Sequence, residues 1–508
     1  MKYIVKSMEM KAYDEDTINR IGIPSAVLME RAALAVVEEL VKSEDIQKRV
    51  LIVAGGGNNG GDGLAIGRLL ALRGYDVTFC LAGNPEKMTD ETKRQMTIIQ
   101  NLGFSIQSKL ENREYDMVVD ALFGIGLSRI VNGKYLELIQ QINLYRSRGA
   151  RVYSVDIPSG ICADNGRVMG DAVHADLTVT FGFAKRGHLL YPGREYTGKL
   201  VVSDIGITEK SFEIREPSAF CYERNDLSWL LPYRRPDGNK GTFGKVLLVA
   251  GSRDMSGACI LCGNSILRSG AGMVKIISNI CNRGILQQTL PEAMLYSYEE
   301  KPDEKKVRDA LSWCDVVVTG PGMGTDENAF NIMKVLLENK RLPMIIDADG
   351  LNLISNHEEL AKLAAMREEG KTIMTPHPGE LIRLMHTNME EYVGNREKLV
   401  SDLAGKFGCV VAAKDAVTLV MQSNKNKLYI NTSGNDAMAT AGSGDVLAGI
   451  IGGLTAQGMN PFEAACTGVY LHGIAGENAS VKSGRYGMTA SDIIKELMTA
   501  MGGVGGTI

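Results

Sequence analysis

Residues 440–449 read Thr-Ala-Gly-Ser-Gly-Asp-Val-Leu-Ala-Gly, a spacing that could move a phosphoryl group. Gly442, Ser443 and Gly444 lead into an apolar helical run, so their backbone N–H groups open a helix N-terminus. Unpaired amides and the helix dipole point the same way there, which holds an anion without a cationic side chain. Asp445 follows in the first turn. A carboxylate beside an anion hole is a poor phosphate ligand but a good acceptor for the proton of an attacking hydroxyl. The pattern points to phosphoryl transfer onto an alcohol with Asp445 as base. An ordinary helix with an acidic first turn would look the same in isolation.

Further polar segments in this half fall at the ends of apolar runs: 240–252, 319–324 (Thr-Gly-Pro-Gly-Met-Gly), 347–351 (Asp-Ala-Asp-Gly-Leu), 376–380 (Pro-His-Pro-Gly-Glu), 414–418 (Lys-Asp-Ala-Val-Thr) and 431–435 (Asn-Thr-Ser-Gly-Asn). Each has an ordinary structural reading. His377 could be a rigid loop residue, Asp347 or Asp349 could cap a helix starting near Leu351, and Lys414 could be a solvated cation. Gathered on one sheet edge with residues 442–445, they read instead as one site.

A second constellation lies nearer the N-terminus. Residues 55–63, Gly-Gly-Gly-Asn-Asn-Gly-Gly-Asp-Gly, stand between an apolar strand and a helix. A G-x-G-x-x-G pattern runs through Gly55, Gly57 and Gly60, but a dinucleotide site wants its acidic residue at the end of the next strand. Asp76 begins that strand instead. The oxygens of Asn58, Asn59 and Asp62 suit a cation or sugar hydroxyls. Loops 120–129 and 156–160 also follow apolar strands and so reach the same carboxyl edge, where open α/β sheets bind ligands. Lys185 and His188, near a Gly-rich turn, read as peripheral.

These loops need strands to carry them. Short β-branched runs alternate with helical segments nearly throughout, which predicts α/β architecture with parallel sheets. Strands are expected at 49–54, 76–82, 116–121, 151–157, 176–183 and 200–205, with a helix at 60–72. The rhythm returns at 245–250, 273–278, 316–320, 344–347, 371–375 and 409–413. Between them, 206–239 is rich in charge and proline and reads as a linker, placing a boundary near residue 215 (domains 1–214 and 215–508). The Gly-rich end, 502–508, reads as frayed.

At 508 residues the chain exceeds one ordinary core. A net charge of −4 gives no reason to expect nucleic acid or an anionic membrane as partner. Charges interrupt the opening Met-Lys-Tyr-Ile-Val-Lys, so it does not read as a secretory signal, and no apolar run approaches the ~20 residues that span a bilayer. Nine scattered cysteines suggest reduced thiols in a cytoplasm, with Cys259 and Cys262 as small buried hydrophobes.

GGGNNGGDGLAIGRLL, VVDALFGIGLS, VDIPSG and ADLTVTFGFAKRGHLLYPG, followed by VVSDIGI, resemble the NAD(P)H-hydrate epimerases across nearly all of residues 1–208. The resemblance implies a Rossmann-like three-layer sandwich. It implies that Asn58, Asn59, Gly60, Gly61 and Asp62, with Gly124, Ile125, Gly126, Leu127, Ser128, Arg129 and Ile130, hold a hydrated nicotinamide nucleotide. It assigns Asn59, Asp120 and Ser159 to a potassium ion and places Asp156 at the reacting centre. Inverting a hydroxyl-bearing carbon needs proton transfer at that oxygen, which makes Asp156 the acid/base.

Residues 219–500 resemble the ribokinase-like superfamily. Within it, KGTFGKVLLVAGS, LPEAM, GPGMG, DADGLN, TPHPGE and ATAGSGD are similar to the nucleotide-dependent NAD(P)H-hydrate dehydratases. The implied chemistry is phosphorylation of the hydrate by ADP or ATP, then loss of phosphate. Asp445 would be the base, and the amides of Gly442, Ser443 and Gly444 would stabilise the phosphoryl. Lys414, Asp415, Ala416, Val417 and Thr418, with Asn431, Gly434 and Asn435, would cradle the nucleotide. Ala258, Gly322, His377 and Asp445 would line the hydrate pocket, and Glu380 would act on magnesium through water. Asp415 and the pair Asp436-Ala437 depart from the residues usual there, a glycine and a Pro-Gly pair. The expected whole is a bifunctional repair enzyme with small-molecule substrates, and subunit assembly into a homo-oligomer is expected of the family. A small-alcohol kinase with a regulatory domain, or a first domain kept only as a binding module, are the alternatives.

Overall fold

The computed structural model describes residues 1–42, 49–110, 113–425 and 427–502. Residues 503–508 of the Gly-rich end lie outside them. The chain divides into two units, Lys2–Ala219 and Phe220–Ile508.

The first unit is built on a seven-stranded sheet, all of its pairings parallel. Its spatial order is Ile106–Gln107, Asp76–Leu81, Arg49–Ala54, Met117–Ala121, Arg151–Val155, Leu177–Phe181 and Lys199–Ser203. The central runs are apolar at every position because helices cover both faces, the rule for parallel sheets. Val50, Ile52 and Ala54 face one core with Leu28, Val36, Leu64 and Leu70. Leu51 and Val53 face the opposite core with Leu138, Ile139 and Ile142. The direction of chain progression reverses between Arg49–Ala54 and Met117–Ala121, so a crevice opens at their carboxyl ends.

The second unit carries Met294–Tyr298, Met273–Asn279, Lys245–Val249, Val316–Thr319, Met344–Ile346, Thr372–Met374 and Val410–Ala413, all parallel, then Leu419–Gln422 and Leu428–Ile430 antiparallel. The helix Ser443–Ala456 is buried from Val446 to Ala456, which explains why its sequence has no polar face. It lies against Ser256–Arg268 at close range. A Cβ on Gly449 would stand 1.9 Å from Ser265 Oγ. Cys259 and Cys262 on the facing helix are fully buried free thiols.

Every expected strand is present. The linker reading of 206–239 needs correction. Ala219–Cys221 is a strand and Leu227–Leu230 a helix. Phe220 and Tyr222 are buried against Tyr429, with ring centroids 5.4 and 4.9 Å away. Charge along the segment hid a buried aromatic pair. No helix of the described residues is long and apolar enough to cross a membrane.

Candidate active sites

In the first unit, a cavity of about 710 Å³ opens at the carboxyl edge of the sheet. Asn58, Asn59, Asp62, Asp156 and the loop from Gly124 to Arg129 all line it. Three residues of the expected set do not. Gly60 lies beneath, where a Cβ would stand 1.8 Å from Gly55 O, so glycine is needed there for packing of loop on helix. Gly61 packs on Met29 and Thr92. Ile130 stands 69% exposed, outside the lining.

Asp156 occupies the turn after Arg151–Val155 with φ +66°, a left-handed backbone that costs a non-glycine residue about 1–2 kcal/mol. Its neighbours hold it there. Lys185 Nζ donates to its Oδ1 at 2.5 Å, and Thr180 Oγ1 donates to the same oxygen at 2.8 Å. Lys185 N–H donates to His188 Nδ1 at 3.0 Å, so the imidazole's proton is on Nε2, which donates to Asp156 O at 2.8 Å. Burial works to raise the Asp156 carboxyl, but the Lys185 charge and hydrogen bond outweigh it and hold the group below the usual carboxylate range. Burial, with the Lys185 charge, pushes His188 down to about 4 and keeps it neutral. The peripheral reading of Lys185 and His188 is therefore wrong. Both are buried and both fix Asp156. Only the buried pairing after Leu177–Phe181 reveals them, and no local spacing does.

Asp120 is fully buried below the same loops. Ser159 donates to it twice, from Oγ at 2.5 Å and from its N–H at 2.8 Å, and Ser154 Oγ adds a third donor at 2.8 Å. Burial nevertheless raises its carboxyl above the ordinary range. Gly124 lies against Asn59, whose Nδ2 is buried with no hydrogen-bond partner. A buried carboxylate with no ion pair among the described residues and an orphaned amide are what a small cation would satisfy, given an amide turned oxygen-inward.

In the second unit, Gly442 at φ +86° starts the helix Ser443–Ala456 and supplies no side-chain cap; Ser443 N–H donates to Thr440 O at 3.3 Å, and the amides of Gly444 and Asp445 have no bond among the described residues. Asp445 sits in that first turn. Burial first, then the charge of Asp347, raises its carboxyl to about 6, with Lys414 opposing. Asp347 is buried at 1% exposure. It occupies the N-cap of Ala348–Asn356, but its side chain makes no cap bond. It accepts instead from Lys414 Nζ at 2.6 Å and Thr375 Oγ1 at 2.8 Å. Asp349 accepts from Gly324 N–H at 2.9 Å, so it ties the 319–324 loop rather than capping. Ala258 and Gly322 are brought together, since a Cβ on Gly322 would stand 3.0 Å from Ala258 Cβ.

His377 caps Pro378–Met385 and receives Gly379 N–H on Nδ1 at 3.0 Å. Glu380 accepts from His377 N–H at 2.8 Å. Burial raises Glu380 to about 7, with Lys414 opposing. His472, which the sequence did not single out, is buried with Nε2 3.2 Å from Ser443 Oγ.

Residues of the expected nucleotide cradle make intrachain bonds. Lys414 is committed to Asp347, and Asp415 accepts from Tyr392 Oη at 2.8 Å and pairs with Arg396 at 3.4 Å. Val417 and Thr418 are buried, while Ala416 is exposed. Asn431 accepts from Tyr429 Oη and Ser433 Oγ, each at 3.0 Å, and Asn435 donates to Ser480 Oγ at 2.8 Å. Gly434 donates its N–H to Glu477 at 2.9 Å. These side chains tie the loops to their neighbours.

Two α/β units, each with an acid at the carboxyl edge of its sheet, have the layout of a two-site enzyme. The NAD(P)H-hydrate dehydratase family matches residues 246–499, and the family of YjeF-related protein N-termini matches residues 25–187. The bifunctional NAD(P)H-hydrate repair enzyme of Thermofilum pendens is 36% identical over 98% of this chain and 96% of its own. That of Moorella thermoacetica is 36% identical over 97% of this chain and 95% of its own. A ribokinase-like superfamily protein from Enterococcus faecalis is 30% identical in structure-based comparison, covering 57% of this chain and 97% of its own with a TM-score of 0.51. The second unit is thus ribokinase-like. The chain belongs to the bifunctional NAD(P)H-hydrate repair enzymes.

Proposed function

We propose that residues 1–214 interconvert the R and S forms of hydrated NADH or NADPH, and that residues 215–508 dehydrate the S form with ADP or ATP. Support for the first site is the Asp156 carboxylate, kept ionised by buried Lys185 on the wall of a 710 Å³ cavity. An ionised acid at the hydroxyl-bearing carbon can take up the proton that inversion requires. Asn59, Asp120 and Ser159 would hold a potassium ion, whose charge would offset the buried Asp120 carboxylate and order the loops around the substrate.

In the second site, Asp445 accepts the hydroxyl proton as the substrate oxygen attacks the terminal phosphorus. The amides of Gly444 and Asp445 at the helix start hold the transferring group. Departure of phosphate then restores the dihydronicotinamide. Glu380 would act on a magnesium ion through water, since His377 N–H occupies one of its oxygens and His377 Nε2 lies 3.3 Å from the other. The observation that carries this reading is Asp445 in the first turn of an uncapped helix, beside the Lys414–Asp347 pair. The same reading takes the protein to be cytoplasmic, supported by nine free cysteines, and to assemble with copies of itself. The test is to incubate the purified chain with mixed hydrate epimers and ADP or ATP. Full recovery of reduced-nicotinamide absorbance is expected. A stable phosphorylated product would instead make the second unit a kinase.

A further inference from the structure

Four carboxyl groups and three cationic groups line the first unit's cavity. Asp14 reaches it from the helix Ser7–Asp16, Asp62 from the first turns of Asn58–Leu72, and Asp156 from the strand end. Among the described residues, Lys185 ion-pairs with Asp156 alone. Neither Asp14 nor Asp62 makes a side-chain hydrogen bond or ion pair among the described residues. The other ionisable groups lining the cavity are Lys11, Glu91, Arg129 and Tyr135. Glu91 is already engaged by Ser25 at 2.5 Å and Arg94 at 3.0 Å.

Carboxyls that share one cavity make each other's ionisation costlier. Burial first, then the charges of Asp156 and Asp14, pushes Asp62 well above the ordinary carboxylate range. Asp156 is pushed the other way. Two carboxyls on one cavity with protonation pushed apart form an acid and a base.

Resting on the reading of this unit as the epimerase, we propose that Asp62 is the proton donor that works opposite Asp156, inverting the carbon by departure and return of water. The Asp62 carboxyl protonates the hydroxyl on the carbon beside the ring nitrogen. The C–O bond breaks, its electron pair leaves with water, and the nitrogen lone pair forms the C=N bond. Water adds to the opposite face, the nitrogen recovers its pair, and Asp156 takes the proton that the added water releases. Solvent then carries that proton from Asp156 back to Asp62, and nothing is oxidised or reduced. Asp14 contributes only charge: it keeps Asp62 protonated.

The experiment follows conversion of the R hydrate to the S hydrate by the full-length chain, without ADP or ATP, from pH 5 to 9. In the wild type the rate should decline at high pH as Asp62 loses its proton. Asp62→Asn should lower kcat at least about 100-fold with KM within a few-fold, and should abolish that decline. Asp14→Asn should move the decline to lower pH, because a neighbouring negative charge is gone. An Asp62→Asn enzyme within about threefold of wild type, or an unmoved decline in Asp14→Asn, overturns the assignment. If Asp62→Asn fails to fold, the Asp14→Asn profile decides. A wild-type chain that does not epimerise at all sinks the underlying reading of the unit instead, so the two failures are distinguishable.

Discussion

Lys414 Nζ stands 2.6 Å from Asp347 Oδ1, and both side chains crowd the space a Cβ would take on Gly444, one residue before Asp445. A cation and an anion 67 residues apart in sequence thereby set the field around the acid at the open helix end. Lys414 draws the Asp445 carboxyl down while Asp347 and burial push it up. The net position, about 6, leaves Asp445 ionised at neutral pH yet basic enough to take a hydroxyl proton.

Lys414→Met should therefore be costly. It strands Asp347, 1% exposed, without its counter-charge, and losing one partner of a buried pair costs about 3–5 kcal/mol. Urea unfolding of the second unit should show that loss. Adding Asp347→Asn to Lys414→Met should return part of it. Equal stability of wild type and the single variant would mean the pair is solvated.

Asp445→Asn should abolish dehydration while nucleotide affinity changes little, because a base is removed and the amide donors stay. In the wild type, dehydration should rise with pH through about 6 as Asp445 ionises. Calorimetry with ADP checks the first outcome and an initial-rate profile the second. Loss of nucleotide binding in Asp445→Asn would assign the residue to binding instead.

Lys185→Met should shift the acidic limb of epimerisation to higher pH. Lys185 holds Asp156 below the usual carboxylate range, so its removal raises the carboxyl, and the base then ionises only at higher pH. A pH–rate profile of the R-to-S conversion reads this directly, and an unmoved limb would separate Lys185 from the chemistry.

Epimerisation should depend on potassium more than on sodium, while dehydration stays indifferent to the exchange. Asp120→Asn should erase the preference, since it removes the charge that Ser159 and Ser154 position. Identical rates in both salts would leave Asp120 as a structural carboxyl.

Much of this molecule is written locally. Apolar runs such as 49–54 and 316–319 can only be strands covered on both faces, and acids or glycines at their carboxyl ends then mark the edge where ligands bind. Asp156, Asp445, Asn59 and Asp120 were legible for that reason. Residues 206–239 were misread because a short strand holding Phe220 and Tyr222 shows its apolar character only against Tyr429.

The sequence by itself determined the two parallel α/β units, their order along the chain and the acids at their edges, because hydrophobic period and turn chemistry act over a few residues. Only the tertiary structure decided how those acids are charged. Lys185 meets Asp156, Lys414 meets Asp347 and Asp62 has no side-chain partner among the described residues because of which strands lie side by side. Protonation follows burial and neighbouring charge, and both are properties of the folded neighbourhood that no local spacing records.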